Sequence, residues 1–278
     1  LHEGRRAMPS TADEIAANLR TQIQRGELQP GDRLPGIETL AERYSVNRQT
    51  ARQALNQLKA EGLAESPGGR AGTIVRQRPT TRLVRSRNIE RDHLGYYSGP
   101  TVQHWRTIQG LGLAIDTRPV PADVAELLGI TPGTLVLLRE RANGDPEQPQ
   151  YRQLAASWFH PDIVEDVPVL AGGTGLGGSY DRIEEWAQQP LQWEEEVTAA
   201  TPNPAEAETL LLPPGVPMLR ILRVASLGRG SKARVVEVQD IRMSGELFSV
   251  RYPLQRRGAA RWPVQPSTGD YYSAGSQP

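Results

Sequence analysis

Three short amphipathic segments followed by a glycine-rich turn occupy residues 11–76, and they constrain the fold more than any other feature of this chain. Apolar residues recur at spacings of three and four in residues 11–25, 36–44 and 48–61, as on a helix with one buried face. Gly26 and Gly62 end the first and third segments, and Asn47 is suited to cap the start of the third. The pattern predicts three helices around one small core.

A hairpin is predicted directly after these helices. Two short strand-like runs, 63–65 and 73–76, flank the turn-rich residues 66–72. Helix, helix, tight turn, helix and hairpin wing is the order of a winged helix-turn-helix, whose last helix enters the major groove of DNA. With its apolar stripe packed inward, that helix would present Arg48, Gln49 and Arg52 outward, and an arginine fork matches the edge of guanine. The alternative is a solvated helix face followed by an ordinary hairpin.

Length and charge agree with a DNA-binding front part. The 278 residues suit two domains, each large enough for its own core. The net charge is zero, but residues 1–100 hold 16 basic and 11 acidic side chains, an excess of five, so the remainder carries a deficit of five. This asymmetry predicts that only the front part meets a polyanion.

Composition excludes several classes of protein. The chain has no cysteine, which rules out a disulfide framework, a thiolate metal site and a cysteine nucleophile. No apolar run approaches the ~20 residues of a membrane span, and residues 1–10 do not resemble a secretory signal. We expect a cytoplasmic protein that needs no membrane, no metal and no cofactor. The four histidines form no ligand pair, and the only lysines are Lys59 and Lys232.

The sequence pattern of the rear part predicts an antiparallel sheet built from two similar units. Each unit has a helix, a turn and a strand pair: residues 121–129 lead to strands 135–141 and 154–159, and residues 204–211 lead to strands 218–227 and 235–243. A further short helix is expected over residues 180–186 and a last strand over residues 247–252. Such a pseudo-repeat favours a pseudo-symmetric sheet with helices packed on it. Glu194–Glu196 is interpreted as a solvated run of charge.

The front part resembles the GntR family of DNA-binding domains. The resemblance covers about 65 residues at the family's spacing, and its most specific pieces are Gly26-Glu27-Leu28, Pro30-Gly31, Leu34-Pro35, Val46-Asn47-Arg48, Thr50-Ala51-Arg52, Glu61-Gly62-Leu63 and Gly72-Thr73-Ile74-Val75. It implies DNA contacts at Arg33, Asn47, Arg48, Gln49, Thr50, Arg52, Gly69 and Arg70.

The front part departs from the family at the start of its second helix. Gly36-Ile37 stands where relatives usually have Ser-Glu, so the helix should lack the capping box. Glu38 occupies a place that is often basic in relatives, which predicts one DNA contact fewer.

The rear part resembles the UTRA domain of the HutC branch of GntR regulators, whose fold resembles that of chorismate lyase. The matching pieces include Leu127-Leu128-Gly129, Arg139-Glu140-Arg141, Ser157-Trp158-Phe159, Gly178-Ser179-Tyr180, Pro214-Gly215 and Glu237. The implied fold class is α+β: an N-terminal winged helix-turn-helix joined to an antiparallel-sheet ligand-sensing domain.

The resemblance places effector contacts on Arg139, Arg141, Ser179, Tyr180 and Glu237. Two arginines in an Arg-x-Arg strand share one face and can clamp a carboxylate or phosphate. The alternative is a solvated cross-strand charge pair. Ala155 and Met243 depart from the carboxylate and aromatic residues that relatives often carry there, so an amino-sugar phosphate is not implied. The glycine-rich residues 172–178 lack the ending of a phosphate loop and are expected to form a loop over the pocket.

Together these features predict a homodimeric regulator, a repressor released from an inverted-repeat operator by a small effector, for which an anion is one candidate. We expect a DNA-binding domain over residues 9–78, a linker over 79–100, an effector-binding and dimerisation domain over 101–257 and a flexible tail over 258–278. Two alternatives stay open: a constitutive repressor whose rear domain only dimerises, and a lyase-like enzyme.

Overall fold

The structure is a computed structural model that describes residues 11–68, 72–86, 88–92, 95–97, 104–108, 110–111 and 114–254. Gly69, Arg70 and the tail from residue 258 lie outside these ranges, so the predictions made for them are not addressed by the structure. No helix within the ranges is long and apolar enough to cross a membrane.

The front domain contains three helices and a two-stranded hairpin, as the periodicity predicts. These are α1 (Ala12–Gln24), α2 (Ile37–Tyr44), α3 (Arg48–Ala60), β1 (Ala64–Glu65) and β2 (Ile74–Val75). Ile15, Leu19, Leu40 and Leu58 are fully buried in one core, because each lies on the apolar stripe of its helix.

Local capping explains where these helices begin. Thr11 and Glu14 form a capping box on α1, and the side chain of Asn47 accepts a hydrogen bond from the Thr50 backbone N–H at 2.8 Å. Gly36 gives α2 no side-chain cap, as its departure from the family pattern predicts. Ser45 ends α2 with a φ of 54°, in the left-handed region, which sets the tight turn before α3.

The rear domain is built on a seven-stranded antiparallel sheet. Its path runs β10-β11-β12-β9-β8-β6, and β7 also pairs with β8. The sheet strands are β6 (Arg106–Thr107), β7 (Ala114–Pro119), β8 (Leu135–Gly144), β9 (Arg152–Phe159), β10 (Leu191–Ala200), β11 (Met218–Leu227) and β12 (Arg234–Ser244). The remaining strands are β3 (Leu83–Arg85), β4 (Glu90–Asp92), β5 (Gly95–Tyr97) and β13 (Phe248–Val250). The helices are α4 (Ala122–Leu128), α5 (Pro161–Asp166), α6 (Gly178–Ala187) and α7 (Pro204–Thr209), with short 3₁₀ helices at Pro168–Ala171 and Gly230–Lys232.

The two predicted units are present and interlock. One unit is α4-β8-β9 and the other is α7-β11-β12, and they join where β9 pairs with β12. Each helix packs against the last strand of the other unit, α4 on β12 and α7 on β9. The expected antiparallel sheet with packed helices is therefore confirmed.

Two stretches differ from the sequence interpretation. The predicted linker, 79–100, contributes three strands to the rear domain: β3 pairs in parallel with β13, and β4 pairs with β5. The predicted solvated run Glu194–Glu196 lies within β10, a full sheet strand. The solvated interpretation holds for Glu194 and Glu196, which are exposed, but it is incomplete for Glu195, whose carboxylate pairs with two arginines from distant parts of the chain.

Candidate functional site

The outward face of α3 is a polar surface that bears no acidic side chain. Arg48, Gln49 and Arg52 are exposed on it, whereas Ala51, Ala54, Leu55 and Leu58 pack inward. Thr50 is half-buried, and its hydroxyl donates to the Asn47 side chain at 3.1 Å. The residues predicted for the start of the recognition helix therefore share one surface, which can enter a major groove.

A groove of about 520 Å³ separates α3 from the base of the wing. Arg52, Asn56 and Lys59 line it from α3, and Arg33 and Thr73 line it from the hairpin side. Arg33 lies beside Gly72 and forms a bridge with Ile74, so it belongs to the base of the wing. This arrangement suits contact with a phosphate backbone, because the arginines and the lysine flank a concave surface.

Glu38 is an acidic residue within this basic surface. Its carboxylate lies 3.6 Å from Nε of Arg48, and both side chains are exposed. An exposed ion pair of this kind contributes little to folding stability. Its consequence concerns DNA, because a carboxylate near an incoming phosphate repels it and competes for Arg48.

We expect Glu38→Gln to raise operator affinity on the order of threefold at low salt, since about 0.2–1 kcal/mol of competition for Arg48 is removed. Fluorescence anisotropy with labelled duplex over a salt series measures this. Glu42→Gln is the matched control, because Glu42 is an equally charged, exposed residue of the same helix. Equal gains for both variants would show that only net charge matters and would remove the special role of Glu38.

In the rear domain, polar residues form one row across the covered face of the sheet. Consecutive register partners place Glu195, Arg223, Gln239, Ser157 and Arg139 side by side on β10, β11, β12, β9 and β8. All are register partners, so they point to the same side of the sheet. A row of two arginines, a carboxylate, an amide and a hydroxyl in a covered position is suited to hold a polar ligand.

One end of the row is an ion-pair network. Glu195 accepts from Arg85 Nη2 at 2.6 Å and from Arg223 Nε at 2.7 Å. The arginine side chains are only 7% and 6% exposed. Burial disfavours the charged form of Glu195, but Arg223 and Arg85 outweigh it and hold the pKa of this carboxyl below its usual value.

A small cavity of about 140 Å³ opens next to this network. Arg85 and Arg223 line it on one side and Arg141 on the other, with three aromatic side chains and three amides around them: Tyr96, Trp105, Phe248, Asn143, Gln153 and Gln239. Arg223 also lines a larger open groove of about 610 Å³, next to Trp193 and Tyr252. Arg141 is half-buried, and it makes no hydrogen bond or ion pair with any residue in the described ranges.

The predicted effector residues do not all line this cavity. Arg139 is buried, and its Nη1 donates to the carbonyls of Leu170 and Gly172, both at 2.6 Å. It therefore fixes the start of the glycine-rich loop. Burial, followed by the nearby Arg141, lowers the pKa of the Arg139 guanidinium.

Glu237 and Tyr180 lie deeper than Arg141. Glu237 is fully buried, and its carboxylate lies near the hydroxyls of Ser157 and Tyr180 without a hydrogen bond of normal geometry to either. Burial raises the pKa of Glu237, which favours the neutral acid, and it also raises the pKa of Tyr180. The Tyr180 ring packs edge-on against Tyr96 and at a tilt against Trp193, with ring centroids 5.9 and 5.5 Å apart, so aromatic rings cover this part of the face.

Ser179 and the glycine-rich loop lie at the edge of the same region. Ser179 is half-buried in the first turn of α6. Gly177 caps that helix with a φ of 94° and bridges to Gly95, where a Cβ would lie 2.6 Å from the Gly177 carbonyl oxygen. The loop thus links β5 and α6 over the sheet.

The sequence interpretation missed Arg85, Arg223 and Gln239, which line the cavity together with Arg141. A signal was available for two of them: Arg223 and Gln239 alternate with apolar residues on predicted strands. Arg85 had no such signal, because it lies in the stretch interpreted as a linker.

Together, the fold and the two sites define a class of protein: a winged helix-turn-helix DNA-binding domain joined to a domain with a covered cationic cavity. Residues 11–75 match the family described as bacterial regulatory proteins, gntR family, and residues 112–249 match the UTRA domain. The chain belongs to the GntR family of transcriptional regulators and carries a UTRA domain as its effector-binding part.

Individual relatives agree with this assignment. An uncharacterised HTH-type transcriptional regulator of Streptomyces coelicolor is 26% identical over 215 residues, 73% of this chain and 78% of the relative. MngR of Escherichia coli, a repressor of a mannosyl-D-glycerate transport and metabolism system, is 47% identical over 64 residues, 23% of this chain and 26% of MngR. A crystal structure assigned to a GntR-family regulator superposes with a TM-score of 0.58 at 27% identity, covering 88% of this chain and 98% of that one.

Proposed function

We propose that the protein is a repressor that leaves its operator when a small anionic effector enters the cavity beside Arg141. The observation that carries the proposal is the half-buried Arg141 guanidinium, which makes no ion pair within the described ranges and shares a cavity with Arg223. Placing a guanidinium away from bulk water is costly unless an anion pairs with it. A carboxylate or phosphate supplies that partner in bidentate form.

The repressor assignment draws on MngR, a repressor whose DNA-binding domain is similar to this one. We infer a homodimer that forms through the rear domains and acts in the cytoplasm, where operator DNA is found. We call the DNA-binding front domain of each chain its head. The two heads of the dimer would then occupy half-sites ~34 Å apart on an inverted repeat. Effector binding would change operator affinity by the coupling energy, typically ~1–3 kcal/mol.

A thermal-shift screen of the full chain against carboxylates, sugar phosphates and amino acids tests the effector. A true effector raises the melting temperature by mass action, because it binds the folded state only. We expect Arg141→Ala to abolish this shift, since it removes the guanidinium that faces the cavity. Arg118→Ala is the matched control, because Arg118 is exposed on β7 and pairs only with Asp116 among the described contacts.

The outcomes of the screen separate the alternatives. An Arg141→Ala protein that keeps the full shift would remove the assignment of this cavity. If no compound of any class shifts the wild type, the constitutive repressor becomes the better hypothesis. Selection of bound sequences from random duplex DNA tests the other half of the proposal, and an inverted repeat is the expected product.

We also propose that the chain is not an enzyme. The relatives compared are transcriptional regulators, and Glu237, the acid of the site, is fully buried. Incubation with chorismate, followed by the ultraviolet absorbance of product, tests the lyase alternative. Turnover that is lost in Arg141→Ala would contradict this part of the proposal.

A further inference from the structure

Two turns of the rear domain meet at one end of the β11–β12 pair. Met218 opens β11 opposite Ser244, which closes β12. The turn before β11, residues 213–217, is joined to the turn after β12, residues 245–247, because the Gly245 N–H donates to the Pro217 carbonyl at 2.9 Å. We call these two turns the domain seat.

The first turn of the domain seat touches the end of the recognition helix. Gly215 has a φ of +77°, and a Cβ built on it would lie 2.3 Å from the carbonyl oxygen of Ala60 and 2.5 Å from the backbone nitrogen of Gly62. Only glycine fits this approach, so the backbone of the turn rests directly on the C-terminal end of α3.

The second turn holds the head through a buried ion pair. Arg76, which follows β2, donates from Nη1 to Glu246 Oε2 at 2.8 Å, and its Nη2 donates to the other carboxylate oxygen. Nε of Arg76 donates to the carbonyl of Gly62 at 3.1 Å. The Arg76 side chain is 3% exposed. One guanidinium thus joins the end of α3 to the rear domain in a bidentate pair, the geometry with the greatest orientational control.

The same strands reach the effector cavity. Arg223 on β11 and Gln239 and Met243 on β12 line the cavity, as does Phe248 on β13. Glu246 follows Met243 by three residues and precedes Phe248 by two. A ligand that displaces these lining residues therefore acts on strands whose end is fixed to the head.

We propose that Arg76 and Glu246 are positioning residues that set the angle of the recognition helix relative to the UTRA domain, so that movement of β12 and β13 at the cavity moves the head. Gly215 is the second support of this arrangement. The coupling to the cavity rests on the proposed function, whereas the positioning role of Arg76 and Glu246 does not depend on which effector binds, or on whether the protein is a repressor.

The absence of cysteine makes a direct distance measurement possible. Spin labels at Glu42→Cys on α2 and Glu126→Cys on α4, both exposed positions, report the angle between the domains. Labelled chains are diluted into unlabelled protein so that only distances within one chain contribute. We expect one narrow distribution for the parent and a broader or shifted one for Glu246→Gln. Asp166→Asn, which breaks the Arg234 pair within the rear domain, is the matched control and should leave the distribution unchanged.

Gly215→Ala provides an independent variant if Glu246→Gln folds poorly. Its Cβ would push the turn at residues 213–217 away from the end of α3, because it would meet the Ala60 carbonyl and the Gly62 nitrogen, and the same broadening is expected. Narrow, unshifted distributions in both variants would overturn the proposal.

A DNA-binding experiment with Glu246→Gln tests whether the pair matters for operator recognition. It uses operator DNA obtained by selection from random duplexes. Binding to a duplex with one half-site should stay within about threefold of the parent, because the head surface is intact. Binding to two half-sites should fall about tenfold or more, because avidity requires both heads at a fixed geometry. Equal losses on both duplexes would mean that the pair merely stabilises the head, which would contradict a positioning role. If the second half-site does not raise the DNA affinity of the parent, the proposed dimer is contradicted instead. The distance measurement would still decide the role of the Arg76–Glu246 pair.

Discussion

Replacing Arg52 by alanine is expected to weaken operator binding by about 1–3 kcal/mol, or about 5- to 150-fold, and to relax the preference at one base pair. Arg52 is exposed on α3, one turn after Arg48, and it makes no hydrogen bond or ion pair with residues in the described ranges. Its guanidinium can thus form two hydrogen bonds with a guanine edge without first breaking a contact in the protein.

The measurement is anisotropy or footprinting on the selected operator and on single-base variants of it. Arg43→Ala is the control for net charge, because Arg43 is an exposed basic residue at the end of α2. The free energy of unfolding should not change in either variant, since both side chains are exposed. An Arg52→Ala protein that discriminates between bases as well as the parent would remove Arg52 from the base-reading set.

Glu195→Gln is expected to lower the free energy of unfolding of the rear domain by about 2–3 kcal/mol. Removing one partner from a buried ion pair typically costs ~3–5 kcal/mol, because the remaining charge is left uncompensated. We expect a smaller loss of stability for Glu195→Gln because the Glu195 side chain is 27% exposed. Two arginines lose their shared counter-charge, and urea denaturation followed by tryptophan fluorescence measures the change.

The same variant makes a specific prediction about anions. Phosphate or acetate, compared with chloride at equal ionic strength, should restore part of the lost stability in Glu195→Gln and have a smaller effect on the parent. The reason is that a bound anion replaces the missing carboxylate between Arg85 and Arg223. Glu194→Gln is the matched control, since the neighbouring Glu194 points to the opposite face of β10.

The stability difference between the parent and Glu195→Gln should depend on pH, because the pKa of Glu195 is lowered in the folded protein. A carboxyl whose pKa is lower in the folded state contributes stability above its unfolded pKa, about 4.3, and that contribution is lost as pH falls through the folded value. The gap between the parent and Glu195→Gln should therefore be full at pH 7 and shrink below about pH 4. A gap that is independent of pH would contradict the ion-pair explanation.

The head was largely predictable because its signals are local. Helix bounds follow from a period of 3.6, from the Asn47 cap and from the glycines after α1 and α3, and the observed helices agree within one residue at most ends. The strand Met218–Leu227 has the bounds that its alternation predicts. In each case, neighbouring residues in the chain carry the information that the fold uses.

The cavity beside Arg141 was only partly predictable, because its charges meet across long separations. Glu195 is stabilised by Arg85, 110 positions earlier, and by Arg223, 28 positions later. A run of three glutamates gives no indication of such partners, so it resembles a solvated surface. Arg139 and Arg141 look equivalent in the sequence, yet two backbone carbonyls bind the first and leave the second facing the cavity.

The amino-acid sequence by itself therefore determined the two-domain order, the exposed basic face of α3 and the pseudo-repeated sheet, because periodicity, caps and turn residues act over a few positions. The tertiary structure alone decided which polar residues share the cavity and how Arg76 joins the head to Glu246, 170 residues away. Sheet register and domain contact bring these groups together, and no local pattern encodes either of them.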